Sequence, residues 1–407
     1  MIQPAANAGS RLPELDALRG FAALAVLLNH ALQLIPRIEH PDIPGVGFLR
    51  YTLIHLTPLR VFEFGRPAVL FFFVLSGYVL VRALIQNGSP GIAAFAAQRT
   101  VRLGLPVVVS VLMSLGLWWA FADPQLPEAW REHSLYTWLI PPTVGQVVGN
   151  ALLLGTNDSM RLNIVLWSLV HEWRLTLLLP LVLLFRGRVA LLAALLLATT
   201  WIGIMGGATE NRVLLGPQMH STVAATFYFA SAIGAGAALA LWLGPDVPVL
   251  RREARLAGAI ACVALFSMAS DVAVYLGAVL LIVLARQPGR FRDALRSGPP
   301  VWFGRISFSL YLVHVPVLVA TLHALHDRMP PALTALVGAV LAVLAAVGFF
   351  HLVEEPARRL ARRVERALAM SGASRAQRAD RRSAAPRLPA PRAREWGAEG
   401  GMPSTPG

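Results

Sequence analysis

The sequence has no lysine, only one cysteine and few charged side chains. All 36 basic residues of the 407-residue chain are arginine. Charged residues make up 14% of the chain, against about 25% in soluble domains. Hydrophobic residues make up 56%, which excludes an ordinary soluble protein and indicates a chain that crosses a membrane many times. The single Cys262 cannot form a disulfide within the chain.

The formal net charge of +14 comes from an excess of arginine. In a membrane protein this excess is typical of the positive-inside rule and of affinity for anionic lipid. We therefore expect contact with membrane lipid and no binding of nucleic acid. No metal site is expected either, and the sequence leaves the oligomeric state open.

Eight apolar runs are long enough to cross a bilayer as helices of about 17–25 residues. A further stretch, 255–285, is interrupted by Ser270 and Asp271 and can be one long helix or two short ones. The eight runs lie at 15–35, 67–86, 103–122, 164–185, 189–206, 222–243, 302–323 and 331–353.

The distribution of arginine decides between one helix and two in 255–285. Two helices give ten spans, and the segments that then share a side with both termini hold 14 arginines before the C-terminal tail. The opposite loops hold eight. A single helix would place the five arginines of 286–305 outside, against the positive-inside rule. The sequence therefore predicts an all-α, polytopic protein with about ten transmembrane helices and both termini cytoplasmic, in the plasma or inner membrane.

The chain is predicted to have three parts. Residues 1–14 form a cytoplasmic N-terminal segment and residues 15–360 a transmembrane domain. Residues 361–407 form a cytoplasmic tail rich in Arg, Pro and Ala, which is predicted to be disordered from about residue 371. Two long outer loops, about 36–66 and 123–163, are candidates for functional loops.

The first apolar run contains Arg19 and His30. They are eleven residues apart, so they lie about 20° apart around a helix and roughly 16 Å apart along it. Ionisable groups are costly inside a membrane, and their presence there indicates function. The alternative is an arginine that snorkels to the interface and a histidine that hydrogen-bonds a neighbouring helix.

Two more arginines, Arg99 and Arg102, are predicted at the membrane level of Arg19. Their spacing of three residues places them on one helix face. Three converging guanidiniums would suit a phosphate-bearing ligand. The alternative is that each arginine only follows the positive-inside rule.

Glu172 lies in the fourth apolar run, at a depth where it can meet His30. A carboxylate on an imidazole N–H fixes the tautomer and strengthens the base. Alternatively, Glu172 pairs with Arg174 or another buried arginine and is structural. In the run at 302–323, Ser307 and His314 share a face with Tyr311, and this polar stripe either lines a cavity or joins helices.

Five motifs in order resemble those of the integral membrane acyltransferase family 3. The resemblance covers residues 12–360 and implies a ten-helix protein that moves acyl groups from acyl-CoA to sugars, polysaccharides or natural products. The motifs are LDALRG and the following histidine in Leu15–His30, FFFVLSGY in Phe71–Tyr78, RTVR in Arg99–Arg102, LWSLVHEWR in Leu166–Arg174 and FGRISFSLYLVHVP in Phe303–Pro316.

The resemblance implies roles for the residues above. Arg19, Arg99 and Arg102 would hold the phosphates of acyl-CoA, expected to be acetyl-CoA. His30 would act as general base on an acceptor hydroxyl or carry the acyl group, with Glu172 as a second catalytic residue. Two other hypotheses are a proton-coupled exporter that uses His30, Glu172 and His314 as a relay, and a membrane sensor or scaffold without turnover.

Overall fold

The computed structural model describes most of the chain between residues 12 and 383. The described residues are helical and contain no strand, which confirms the predicted all-α fold. The described ranges are 12–35, 65–88, 91–123, 126–127, 138–156, 162–208, 215, 218–244 and 246–383.

The described residues form α-helices that we number α1 to α13. A 3-10 helix, Leu179–Phe185, follows α5, and a π turn, Phe350–Glu354, joins α12 to α13. The α-helices are α1 Pro13–Leu32, α2 Arg66–Asn87, α3 Ile92–Phe121, α4 Val144–Ala151, α5 Leu166–Leu177, α6 Val189–Met205, α7 Met219–Leu243, α8 Arg252–Ser267, α9 Asp271–Ala285, α10 Arg290–Leu295, α11 Gly298–Leu325, α12 Pro331–Phe349 and α13 Glu355–Ser383.

Six helices of the described chain are long and apolar enough to cross a membrane, or seven if α5 and the 3-10 helix count as one bent span. These lengths and compositions are those of a membrane protein. The predicted run 164–185 is therefore not one straight helix, because it bends by 48° after Leu177. Pro180 explains the bend, since it has no backbone N–H to donate to the preceding turn.

The stretch 255–285 forms two helices, as the arginine distribution predicts. α8 and α9 pack against each other, and the thiol of Cys262 in α8 donates to the carbonyl of Gly277 in α9 at 3.6 Å. Ser270 caps the start of α9, where its hydroxyl accepts the backbone N–H of Ala273 at 3.5 Å.

The last helix, α13, differs from the predicted tail. It continues to Ser383, whereas the sequence predicts disorder from about residue 371. Ala and Arg are frequent in residues 371–383, and both are good helix formers. Residues 384–407 lie outside the described residues, as do 1–11 and most of the predicted loop 36–66.

Glycine lets two pairs of helices pack closely. A Cβ added at Gly77 of α2 would lie 1.9 Å from the carbonyl oxygen of Ile233 in α7, and one added at Gly236 would lie 1.8 Å from that of Val74. The small Ser76–Gly77 pair of α2 is typical of such a close approach. α1 and α11 cross in the same manner, at Gly20 and Gly304.

Candidate functional site

A cavity of about 240 Å³ lies between α1, α2, α3, α5, α11 and the start of α13. Its wall has a polar part and an apolar part, the latter including Phe72, Phe73 and Leu103. Charged groups inside a membrane helix bundle are costly, so their concentration here marks a functional site. The charged residues that line it are Asp16, Arg19, Arg99, Arg102, Glu172, Glu354 and Arg358.

The structure brings together the three arginines that the sequence singles out. The charges of Arg19 and Arg99 both act on Arg102, so the three guanidiniums are close in space. Arg99 is only 4% exposed, and its Nε has no hydrogen-bond partner among the described residues. A buried guanidinium with an unused donor is costly, and an anion in the cavity would satisfy it.

A fourth arginine, Arg358, lines the same cavity and is absent from the sequence predictions. Its Nη2 lies 2.5 Å from Oε1 of Glu354, which is buried in the π turn. Oε2 of Glu354 also accepts the backbone N–H of Ser309 at 3.1 Å and the Ser309 hydroxyl. The spacing of four residues between Glu354 and Arg358 is the signal that would have found this pair.

Glu172 also lines this cavity of about 240 Å³, which we call the arginine cavity. There it accepts a hydrogen bond from the Ser76 hydroxyl at 2.8 Å. Ser76 therefore holds the carboxylate of Glu172 in the cavity wall. The charge of Glu172 acts on Arg99. The alternative partner, Arg174, instead donates to Thr226 at 3.1 Å and to the carbonyl of Leu154 at 2.7 Å.

His30 lines a second, smaller cavity of about 120 Å³. Val69 and Tyr311 line both cavities, so they form the partition between them. Tyr311 is held in place by Ser168, whose hydroxyl is 2.6 Å from the Tyr311 hydroxyl. The structure therefore places Glu172 and His30 in adjoining cavities, and the predicted contact between them is replaced by the bond from Ser76 to Glu172.

His30 contacts His314 of α11. Nδ1 of His30 lies 3.0 Å from Nε2 of His314, and Nδ1 of His314 lies 2.9 Å from the carbonyl oxygen of Leu310. His314 is fully buried. Of the residues of the predicted proton relay, His30 and His314 thus contact each other. Ser307 and Tyr311, which share the predicted polar face with His314, line the arginine cavity.

Arg66 also lines the smaller cavity, and sequence reasoning treats it only as an arginine of an outer loop. It begins α2, where its guanidinium forms a two-point ion pair with Asp271 of α9. Nothing in the spacing of these two residues along the chain indicates that they meet. The only available signal is that an acid and an arginine both lie at the ends of apolar runs.

Comparison with known proteins decides the family. A family described as an acyltransferase domain matches residues 12–351, which is most of the chain. The protein belongs to this acyltransferase family. It is also similar to O-acetyltransferase PaAT-1 of Phomopsis amygdali, with 24% identity over 376 residues, which are 77% of this chain and 73% of that protein. No solved structure matches significantly.

The family assignment makes the protein an O-acyltransferase and an enzyme. It confirms the family resemblance drawn from the five motifs. It also favours the enzymatic hypothesis over an exporter and over a sensor without turnover.

Proposed function

We propose that this O-acyltransferase moves an acyl group, expected to be acetyl, from acyl-CoA to a hydroxyl group of a carbohydrate or secondary metabolite. The observation that carries the proposal is the buried Arg99, whose Nε has no partner among the described residues. It lies with Arg19 and Arg102 in a cavity that adjoins the cavity of His30.

The arginine cavity has the two features that acyl-CoA needs. Its guanidiniums suit the phosphates of the nucleotide part, since planar N–H forks match phosphate oxygens. Its apolar wall, which includes Phe72, Phe73 and Leu103, suits the pantetheine arm. Arg358 would add to the positive charge, although Glu354 partly neutralises it.

His30 would act on the acceptor hydroxyl as general base. The hydroxyl loses its proton to the imidazole, its oxygen attacks the thioester carbonyl, and the carbon–sulfur bond breaks. The departing thiolate then takes the proton from the imidazolium, so that protons and electrons balance. In the variant with an acyl carrier, the His30 nitrogen attacks the thioester carbonyl, the carbon–sulfur bond breaks and the CoA thiolate leaves. The acceptor hydroxyl then attacks the acyl-imidazole, the carbon–nitrogen bond breaks, and the proton of the hydroxyl passes to the thiolate. Glu172 would act within the arginine cavity, where its negative charge opposes the positive charge of Arg99.

The orientation in the membrane follows from charge. Ten crossings with both termini cytoplasmic would place the Arg19 end of α1 at the cytoplasmic face of the plasma or inner membrane. Acyl-CoA would then enter from the cytoplasm. The resemblance to O-acetyltransferase PaAT-1 supports acetyl as the transferred group.

The test is acyl transfer by the purified protein in detergent. We expect release of CoA from acetyl-CoA when the acceptor is present, and we expect deletion of the gene to remove an O-acyl group from a surface glycan or secreted metabolite. Folded protein that binds no acyl-CoA, together with an unchanged O-acyl pattern after deletion, would contradict the proposal.

A further inference from the structure

The position of His314 determines which nitrogen of His30 can act as a base. Nδ1 of His314 lies 2.9 Å from the carbonyl oxygen of Leu310. A carbonyl oxygen can only accept a hydrogen bond, so Nδ1 of His314 must carry the proton. In a neutral imidazole, Nε2 of His314 then carries the lone pair and is an acceptor.

The same argument extends to His30. Its Nδ1 lies 3.0 Å from Nε2 of His314. Because Nε2 of His314 accepts, Nδ1 of His30 must donate and therefore carries the proton. The lone pair of the neutral His30 ring is then on Nε2. Both hydrogen bonds thus run the same way: His30 donates to His314, and His314 donates to the carbonyl of Leu310.

We propose that His314 is a positioning residue that holds His30 in the Nδ1–H tautomer and so makes Nε2 the basic nitrogen of the acyl transfer. The inference rests on the proposed function for the role of that nitrogen, and on the two distances for the tautomer. When Nε2 takes the proton of the acceptor hydroxyl, the new positive charge on His30 is stabilised by the lone pair of His314.

Burial supports this role. His314 is fully buried on α11, and α11 packs closely against α1 at Gly20 and Gly304. The ring centroids of His30 and His314 lie 5.1 Å apart, so the packing of α11 on α1 keeps the two rings side by side. In other enzymes, groups that orient a catalytic imidazole or a ligand contribute about 10–10⁴-fold to activity.

The first measurement needs no acyl transfer. Protein labelled with ¹⁵N-histidine is studied by NMR, and the His30 signals are identified by their loss in His30→Gln. We expect His30 with a protonated Nδ1 and an unprotonated Nε2. A His30 that carries its proton on Nε2 in the wild type overturns the inference, whether or not the protein transfers acyl groups.

The second measurement compares two replacements of similar size. His314→Leu removes the acceptor, whereas the amide oxygen of His314→Gln can still accept from His30. We expect His314→Leu to lower kcat by about 10²-fold or more with the affinity for acyl-CoA unchanged, and to lower the fraction of His30 in the Nδ1–H tautomer. His314→Gln should retain most of the Nδ1–H tautomer and at least tenfold more activity than His314→Leu.

A matched control lies on the same helix. His323 is also buried, and its Nδ1 accepts the backbone N–H of Asp123 at 2.9 Å. His323→Leu should leave kcat and the His30 tautomer unchanged. If His314→Leu keeps wild-type kcat and the Nδ1–H tautomer, His314 does not position His30. If the wild type transfers no acyl group but shows the expected tautomer, the proposed function fails and the positioning of His30 stands.

Discussion

Asp271, at the start of α9, accepts two hydrogen bonds from Arg66, at the start of α2. Its Oδ1 lies 3.0 Å from Nε and its Oδ2 lies 2.5 Å from Nη2. The hydroxyl of Tyr228 in α7 donates to Oδ2 at 2.9 Å. The side chain of Arg66 is 10% exposed and that of Asp271 is 2% exposed, so one ion pair connects three helices away from solvent.

Breaking this pair should destabilise the protein strongly. We expect Asp271→Ala to lower the free energy of unfolding by about 3–5 kcal/mol, because it leaves a buried, uncompensated charge on Arg66. The double variant Arg66→Met/Asp271→Leu should be more stable than Asp271→Ala. The measurement is thermal unfolding in detergent. Glu355→Ala, which breaks an exposed pair on α13, is the control and should leave the unfolding midpoint unchanged.

The close crossing of α2 and α7 predicts opposite effects for two glycine replacements. Gly77→Ala places a Cβ 1.9 Å from the carbonyl oxygen of Ile233, so we expect a loss of about 1–3 kcal/mol in unfolding free energy. Gly104→Ala in α3 meets nothing within 4 Å and should be neutral or slightly stabilising. Equal midpoints for the two variants would show that the crossing can open without cost.

Arg99→Ala and Arg102→Ala should each weaken acyl-CoA binding by about 1.5–3 kcal/mol, because each removes charge-assisted hydrogen bonds to phosphate. Binding should also weaken as salt rises. Affinity is measured by calorimetry on folded protein, with the exposed Arg363→Ala as control. If a folded Arg99→Ala/Arg102→Ala double variant binds acyl-CoA with wild-type affinity, these arginines do not bind the donor and only follow the positive-inside rule.

His30→Ala should abolish acyl transfer but leave acyl-CoA binding intact, because Arg19 is about 16 Å from it along α1 and Arg99 and Arg102 line the other cavity. His30→Gln should fail as well, because an amide can hydrogen-bond but cannot take the proton. Product formed per folded protein is measured beside CoA affinity. The exposed His220→Gln should keep full activity. Near-wild-type turnover of His30→Gln would make His30 a packing residue.

Membrane orientation is tested with reporters. One fused after Gly407 and one inserted near Ser270 should report opposite sides of the membrane, because ten crossings place the turn between α8 and α9 outside. Reports from the same side would exclude the ten-helix topology with both termini cytoplasmic.

The sequence predicts the arginine cluster because helical geometry is local. Arg99 and Arg102 share a face by their spacing, and the hydropathy of the flanking runs sets their depth beside Arg19. The break between α8 and α9 at Ser270 is also predicted from local information. The interruption by Ser270 and Asp271 and the number of arginines on each side are enough to indicate two helices. The 48° bend after Leu177 is equally local, but a hydropathy run does not register it.

Contacts between distant helices are different. His30 and His314 are 284 residues apart, and their depths alone do not fix which helix is the neighbour of which. The sequence therefore leaves Glu172 as a possible partner of His30, whereas the packing of α11 on α1 brings His314 there instead. Arg66 and Asp271 are missed on the same physical ground.

The π turn at Phe350–Glu354 sets the rotational register of α13. A π turn holds one residue more than the α-helical turn that would replace it. Deleting the exposed Leu352 would leave an α-helical turn that covers nearly the same rotation, so all later residues would keep their register relative to α12. Deleting a residue from a regular turn of α12 would instead rotate them by about 100° and carry Arg358 away from the wall of the arginine cavity. The π turn is thus the place in this helix pair where the chain can lose one residue without moving Arg358.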